Sequence, residues 1–304
     1  AITPNGSGAI QLDGLSWPTV DGSTDQVLKT DGSGTLSWSS AATSINGLSD
    51  ALVEDNSTYL GNDPSSTTDD ALRNVAVGLI ALDAITTGDN NVAVGYNALT
   101  ANTTGSHNIG IGYNALKANV GGTSNAAIGY GSLASNTSGQ FNTGVGSSSL
   151  NANINGQRNV GIGNSSLRDN SSGNYNTAVG KSSGQSITTG DDNVTFGHQA
   201  GILLTTGNYN TILGSDSDPS AEDAVNQAMV GYGVTGQADN SVVLGNADVT
   251  AIYMAQDKGA TVHAAGADLS GSTGLILEND ETITNSTDGT VSVSYTHLTL
   301  PTSV

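Results

Sequence analysis

Asn91-Val92-Ala93-Val94-Gly95-Tyr96-Asn97-Ala98-Leu99-Thr100-Ala101-Asn102-Thr103-Thr104-Gly105-Ser106-His107 is followed at once by Asn108-Ile109-Gly110-Ile111-Gly112-Tyr113-Asn114-Ala115-Leu116-Lys117-Ala118-Asn119, which matches it in phase. The period is 17 residues. Carried in both directions, it sets Gly78, Gly95, Gly112, Gly129, Gly146, Gly163, Gly180, Gly197, Gly214 and Gly231 in one register without a slip. Four residues before each glycine stands Asn74, Asn91, Asn108, Asn125, Asn142, Asn159, Asn176, Asn193 or Asn210, with Gln227 in the last copy. A second glycine series runs from Gly88 and Gly105 through Gly207 on the same step. Interlocked series of this length mark an array of stacked units, since one short unit cannot bury its apolar face alone.

Composition points the same way. The 304 residues include 41 Gly and no Cys, and only 2 Trp and 2 Phe, too few bulky side chains for a large globular core. At 36% hydrophobic, mostly Ala, Val, Ile and Leu, the chain carries more apolar material than a solvating disordered tract. The 27 acidic and 7 basic residues give a net charge of -20, and the basic ones (Lys29, Arg73, Lys117, Arg158, Arg168, Lys181, Lys258) are scattered. Nucleic acid is therefore not an expected partner. Acidic side chains can recruit divalent cations, which leaves calcium as the one candidate cofactor, although no motif announces it. No stretch approaches the roughly 20 apolar residues of a membrane helix, so membrane embedding is not expected, and the first residues lack the features of a secretory signal.

Within a copy, the segment from Asn to Gly alternates as a strand does. The larger residues, such as Val75 and Val77, Ile109 and Ile111, or Val194 and Phe196, are expected to enter the coil and stack on their equivalents at about 4.8 Å. The residue between them is small (Ala76, Ala93, Gly110, Ala127, Gly144, Gly161, Ala178), with Thr195 and Ile212 as late exceptions. A small outward face permits close approach by another copy of the chain, with three-fold symmetry the favoured arrangement; the alternative is that it only relieves crowding. After the strand, Ala98-Leu99-Thr100-Ala101-Asn102 and its equivalents read as one helical turn capped by Asn. Where Leu gives way to Gly184 and Gly201, the Asn three positions on becomes Ile187 and Leu204, so apolar volume returns to the same turn.

The Asn columns read as a ladder rather than a ligand site, because nine copies in one column suit a repeating bond and amides both donate and accept. The absence of Pro from 65 to 218 agrees, since Pro would remove a ladder donor. Tyr96, Tyr113 and Tyr130 form a three-rung column that either stacks on sugar rings, as a weak glycan contact, or packs on itself. Phe141, Tyr175 and Tyr209 share another position. The paired threonines (Thr86-Thr87, Thr103-Thr104, Thr188-Thr189, Thr205-Thr206) suggest an ice-binding face, but the middle rungs break them.

Gly-Tyr-Asn-Ala-Leu, then Asn-Thr-Thr-Gly, then Asn-x-Ala-Val-Gly resembles the head repeats of YadA-like trimeric adhesins, and the 17-residue version is similar to repeats in phage tail fibres. The resemblance covers 74 to about 249 and closes on Asn240-Ser241-Val242-Val243-Leu244-Gly245-Asn246. It implies a left-handed parallel β-roll, three chains, host attachment and no catalytic residues. Gln26 to Trp38 resembles a hairpin module of tail-fibre proteins, with Asp31 to Gly34 as its turn, which favours the phage version. Ser44 to Val53 is expected as a short helix on the three-fold axis. Val293 to Ser303 looks like a translated sequencing-adapter tail.

The four histidines (His107, His198, His263, His297) lack a nucleophile partner. Asp191-Asp192 and Glu278, Asp280 and Glu281 have no aromatic cleft around them, and read as solvated turns rather than as a glycosidase pair. The sequence thus leads us to expect an all-β, homotrimeric fibre built on a parallel β-solenoid with one short helical turn per rung. Its parts are an N-terminal hairpin module (1–43), a helix and linker (44–73), the solenoid (74–250) and a β-rich stem (251–304, with 293–304 the adapter-like tail). Expected is a structural, non-enzymatic phage tail fibre on the virion surface. Its partners are further copies of itself, other tail proteins, and a host glycan or protein. The alternatives are a fragment of a bacterial trimeric autotransporter adhesin and, third, a polysaccharide-degrading tailspike.

Overall fold

The computed structural model describes residues 11–12, 15–24, 26–40, 51–54, 56–61 and 70–252. These are all β, with no helix among them. β1 (Gln11–Leu12) and β2 (Leu15–Ser16) pair antiparallel, as do β3 (Gln26–Thr30) and β4 (Leu36–Ser40). The β3–β4 turn is the one read from the sequence. Asp31 Oδ1 accepts from the Ser33 and Thr35 N–H groups at 2.7 and 3.0 Å, and Gly32 and Gly34 adopt φ of 74° and 95°. Those two backbone bonds hold the Asp31 carboxyl below its usual range. Trp38 Nε1 reaches across to donate to the Val20 carbonyl at 2.7 Å.

The remaining strands form one 13-stranded sheet. β5 (Ala51–Glu54) pairs antiparallel with β6 (Ser57–Leu60). Every later strand then adds in parallel: β7 (Val75–Val77), β8 (Val92–Val94), β9 (Ile109–Ile111), β10 (Ala126–Ile128), β11 (Thr143–Val145), β12 (Val160–Ile162), β13 (Thr177–Val179), β14 (Val194–Phe196), β15 (Thr211–Leu213), β16 (Ala228–Val230) and β17 (Val242–Leu244). Register is held residue for residue, Val92 opposite Ile109, Ala93 opposite Gly110, Val94 opposite Ile111. This is a parallel β-solenoid of about 11 turns, as the 17-residue period predicts. It starts at Ser57, one rung before the array is visible in the sequence. The last rung closes three residues early, Ala228 pairing with Val242. The segment read as a helix over Ser44 to Val53 enters β5 at Ala51 instead, and 44–50 lies outside the described residues. So do Tyr253 onward, including His263, Glu278, Asp280, Glu281 and His297.

Two findings correct the sequence reading of the rung, and a third extends it. The first concerns the strand's two sides. Ala76 is fully buried while Val75 and Val77 are 42% and 40% exposed, and the same reversal holds from rung to rung. The larger aliphatics point out, and the small residue points in. The reason lies in the turn: Leu82, Leu99, Leu116, Leu133, Leu150 and Leu167 are fully buried and fill the coil. A Cβ on Gly110 would stand 3.2 Å from Leu99 Cγ, and one on Gly161 3.3 Å from Leu150 Cγ, so each Leu packs over the middle strand residue of the next rung. Only a small residue fits beneath it.

The second concerns the turn itself, which is not helical. Leu82 to Leu167 sit at φ of 49° to 52°, the left-handed region, which no right-handed helical turn contains, and their side chains point inward. The Asn expected as a cap points into the core instead. The third concerns the late rungs. Gly184 and Gly201 replace Leu, and the strand residues that follow them 11 positions later grow to Thr195 and Ile212. A Cβ on Gly201 would lie 3.0 Å from Ile212 Cδ1, so Ile212 occupies the space the Leu column vacates. Asp218 takes the Leu position of the next rung, and Met229 fills beside it. Volume is exchanged between neighbouring rungs while total filling is kept.

Glycine is demanded at the strand end by two independent facts. Gly112 has φ of 133°, and a Cβ there would meet the Gly129 carbonyl oxygen at 2.5 Å. Backbone stacks on backbone along this column, and no side chain can enter.

Candidate functional site

The interior holds two amide ladders. In the first, Asn108 N–H donates to Asn91 Oδ1 at 2.9 Å, Asn125 N–H to Asn108 Oδ1 at 3.0 Å, and so on to Gln227 N–H on Asn210 Oδ1 at 3.0 Å. Each Asn Nδ2 also donates to the carbonyl 14 residues on, as Asn91 does to Gly105 at 2.9 Å; the acceptor is glycine in every rung but the last, where Asn210 donates to Ala224 at 2.7 Å. Every one of these side chains is buried. The second ladder, Asn102, Asn119, Asn136, Asn153 and Asn170, links Nδ2 to the preceding Oδ1 at 2.7 to 2.9 Å. It stops where Ile187 replaces Asn, and Asn170 Oδ1 is left buried without a partner. The buried Asn columns are therefore internal framework, closed to any ligand by their own bonds.

Function must lie on the outward columns, of which three stand out. The first is the sheet face. Val77, Val94, Ile111, Ile128, Val145, Ile162, Val179, Phe196, Leu213, Val230 and Leu244 form one apolar column through eleven rungs without a break. A parallel column carries Val75, Val92, Ile109, Val160, Val194 and Val242, with Ala or Thr between. At about 4.8 Å per strand this strip runs about 50 Å. Soluble monomers do not usually leave so long an apolar surface in water.

The second is the tyrosine column. Tyr96 and Tyr113 stack with ring centroids 5.7 Å apart and planes within 10°, and Tyr113 and Tyr130 at 5.3 Å and 6°. Their faces cover one another, so Tyr113 offers solvent only its edge. That geometry packs rung on rung, and of the three rings only Tyr96 and Tyr130, 47% and 60% exposed, keep a face not covered by another tyrosine.

The third was not anticipated from the sequence. Arg158 Cζ lies 5.2 Å from the Phe141 ring centroid and 5.4 Å from that of Tyr175, and Nη1 donates to Tyr175 Oη at 3.1 Å. The signal was present in the 17-residue spacing of Phe141, Arg158 and Tyr175, but it required setting a cation in a column otherwise read as aromatic with gaps.

The remaining polar groups stay scattered. His107 Nε2 lies 3.5 Å from Asn90 Nδ2, and His198 Nδ1 lies 3.4 Å from Asp216 Oδ1. Asp191 Oδ1 accepts the Asn174 N–H at 2.6 Å, a turn-stabilising bond. No group of three His, Cys, Asp or Glu side chains that could hold a metal occurs among the described residues. Half-buried Asp218 is pushed above the usual carboxylate range, chiefly by its burial, against the pull of the Leu203 and Ile202 N–H groups. Among the described residues no helix is long and apolar enough to cross a membrane. No family model, curated protein or solved structure matches the chain.

Proposed function

We propose that the chain is a structural, non-enzymatic fibre protein, in which three copies bring their outward aliphatic columns together around a common axis. The rod so formed, a left-handed β-roll, is the shaft or head of a phage tail fibre that attaches the particle to a host cell. One observation carries this reading: the unbroken column from Val77 to Leu244 is open to water in a single chain. Burying such a strip contributes stabilisation of about 25 cal/mol per Å² of apolar surface, which favours self-association without any further contact. The sequence resemblance to adhesin heads and tail fibres supports both the three-fold number and the role.

In such an assembly, mechanism is geometry and valency. Interior ladders fix the distance between rungs, and three identical outer surfaces are held at a set reach from the particle. Weak contacts to a host glycan or protein then act together through effective concentration. No cofactor is assigned to this role. Sedimentation equilibrium of the intact chain tests it: three 30.3 kDa chains per particle are expected, and a stable monomer at micromolar concentration would overturn it.

A further inference from the structure

We infer that Arg158, clamped between Phe141 and Tyr175, is the docking point for a carboxylate or sulfate group of an acidic oligosaccharide. For its biological use this rests on the attachment reading above, and it names the ligand class of that attachment.

Four observations converge. The Arg158 Cζ lies between two aromatic rings, 5.2 Å from the Phe141 centroid and 5.4 Å from that of Tyr175, while the side chain as a whole stays exposed. One N–H is taken by Tyr175 Oη, and no carboxylate lies within ion-pair distance among the described residues. An arginine held this way presents its planar fork ready-made for a bidentate oxyanion, and loses little freedom on binding.

The backbone supplies the second argument. Phe141, Arg158 and Tyr175 stand at φ of 59°, 56° and 58°, a conformation that Asn tolerates far better than aromatic or long side chains. The same φ, 53° to 62°, recurs along the whole column, in Arg73, Asn90, His107 and Tyr209 among others, so side chains here leave the turn in one direction. What sets this stretch apart is a cation with an aromatic ring on the rung to either side.

Charge supplies the third. From Asn90 to Gly190 the chain has one acidic residue, Asp169, against Lys117, Arg158, Arg168 and Lys181. All the other acidic residues of this strongly acidic protein lie outside that belt. Asp169 is itself paired with Arg168, at 2.7 Å. The rungs around Arg158 thus carry a net positive charge, bounded by Asp89 on one side and by Asp191 and Asp192 on the other, with Asp192 two rungs from Arg158 in the same column.

Fourth, Phe141 and Tyr175 are 48% and 51% exposed, which leaves their outer edges beside the guanidinium as apolar contact for a sugar ring attached to the anion. Nucleic acid, the other polyanion, is disfavoured because the four cations are spread over three columns, with only Lys117 and Arg168 in one.

The test is calorimetric titration of the intact chain with hexagalacturonic acid, a heparin hexasaccharide and neutral maltohexaose. The wild type is compared with Arg158→Gln, Arg158→Lys and, as a control of charge alone, Lys117→Gln. The acidic sugars should bind and maltohexaose should not. Arg158→Gln should weaken binding by about tenfold or more, and Lys117→Gln should leave it unchanged. Arg158→Lys keeps the charge and the aliphatic stem but not the fork, so it should remain weak; it carries the test should the Gln variant misfold. Binding to hexagalacturonate assigns a carboxylate as sufficient, and binding to the heparin hexasaccharide alone assigns a sulfate. Equal binding of acidic and neutral sugars, or equal losses in Arg158→Gln and Lys117→Gln, would overturn the site. Host-cell attachment is read separately. Attachment undiminished by Arg158→Gln defeats this site and leaves the fibre reading intact. Acidic-sugar binding without cell attachment does the reverse.

Discussion

Asn125 shows what a single residue does in this fold. Its Oδ1 accepts the Asn142 N–H at 3.0 Å, and its Nδ2 donates to the Gly139 carbonyl at 2.8 Å, all of it buried. Asn125→Ala strands a donor and an acceptor in the interior, so we expect a loss of about 2–3 kcal/mol in denaturant unfolding. Asp218 behaves in the opposite sense. Its carboxyl is pushed up in the fold, so the folded state holds a proton more tightly than the unfolded chain, and the ionised form opposes folding at neutral pH. Asp218→Asn keeps an oxygen for the Leu203 N–H, which Asp218 Oδ1 now accepts at 2.8 Å. Its thermal midpoint should rise above the wild type at pH 7, and the gain should vanish below the carboxylate range, at pH of about 3. Asp31 has the reverse sign: its carboxyl is held low, and the turn it stabilises weakens on acidification.

At the scale of the rung, the governing relation is the pairing of a turn residue with the strand residue 11 positions later. Leu99 with Gly110 and Gly201 with Ile212 are two solutions to one volume. Leu99→Ala leaves a cavity, with an expected cost of about 2–5 kcal/mol. Gly110→Val overpacks against the same Leu99, costing about 1–3 kcal/mol. Joined in one chain, the two should cost less than their sum by about 1–3 kcal/mol, measured as a double-mutant cycle in urea. This relation also explains how much of the rung the sequence disclosed. Period, strand positions, Gly columns and Asn ladder follow from spacing alone, since each recurs at 17. Which side of a three-residue strand faces inward does not, because Val-Ala-Val alternates equally well either way. The deciding fact is that Leu82 and its equivalents adopt left-handed φ and claim the interior, and nothing in Ala-Leu announces that conformation. The compensation of Gly184 by Ile187 was visible. That of Gly201 by Ile212, in the following rung, required knowing which residues meet. The Arg158 clamp is hidden for a related reason: its partners lie one rung to either side, in a column with no fixed residue type that runs Ser124, Phe141, Arg158, Tyr175, Asp192.

For the whole molecule, the turned strand changes what the array offers its surroundings. A smooth small-residue face would have let copies approach by backbone; the observed face instead presents aliphatic columns about 50 Å long at ordinary strand spacing. The case for self-association is the stronger for it, because exposed apolar area, unlike a stripe of glycine and alanine, supplies a driving force of its own. Charge adds a constraint. With a net charge of -20 per chain, copies repel at long range, and the aliphatic face must overcome that repulsion. Assembly should therefore tighten as salt screens the acidic ends, visible as a fall in the dissociation constant between about 0.01 and 0.15 M ionic strength.

Because the chain has no Cys, single thiols can report on each side of the strand without interference. Ile128→Cys sits on the outward column and Ala127→Cys on the buried one next to it. On mild oxidation, Ile128→Cys should give covalently linked pairs of chains on a denaturing gel, and Ala127→Cys should stay monomeric. Cross-linking through position 127 with none through 128 would mean that the strand faces the other way and that the aliphatic columns are not where copies meet.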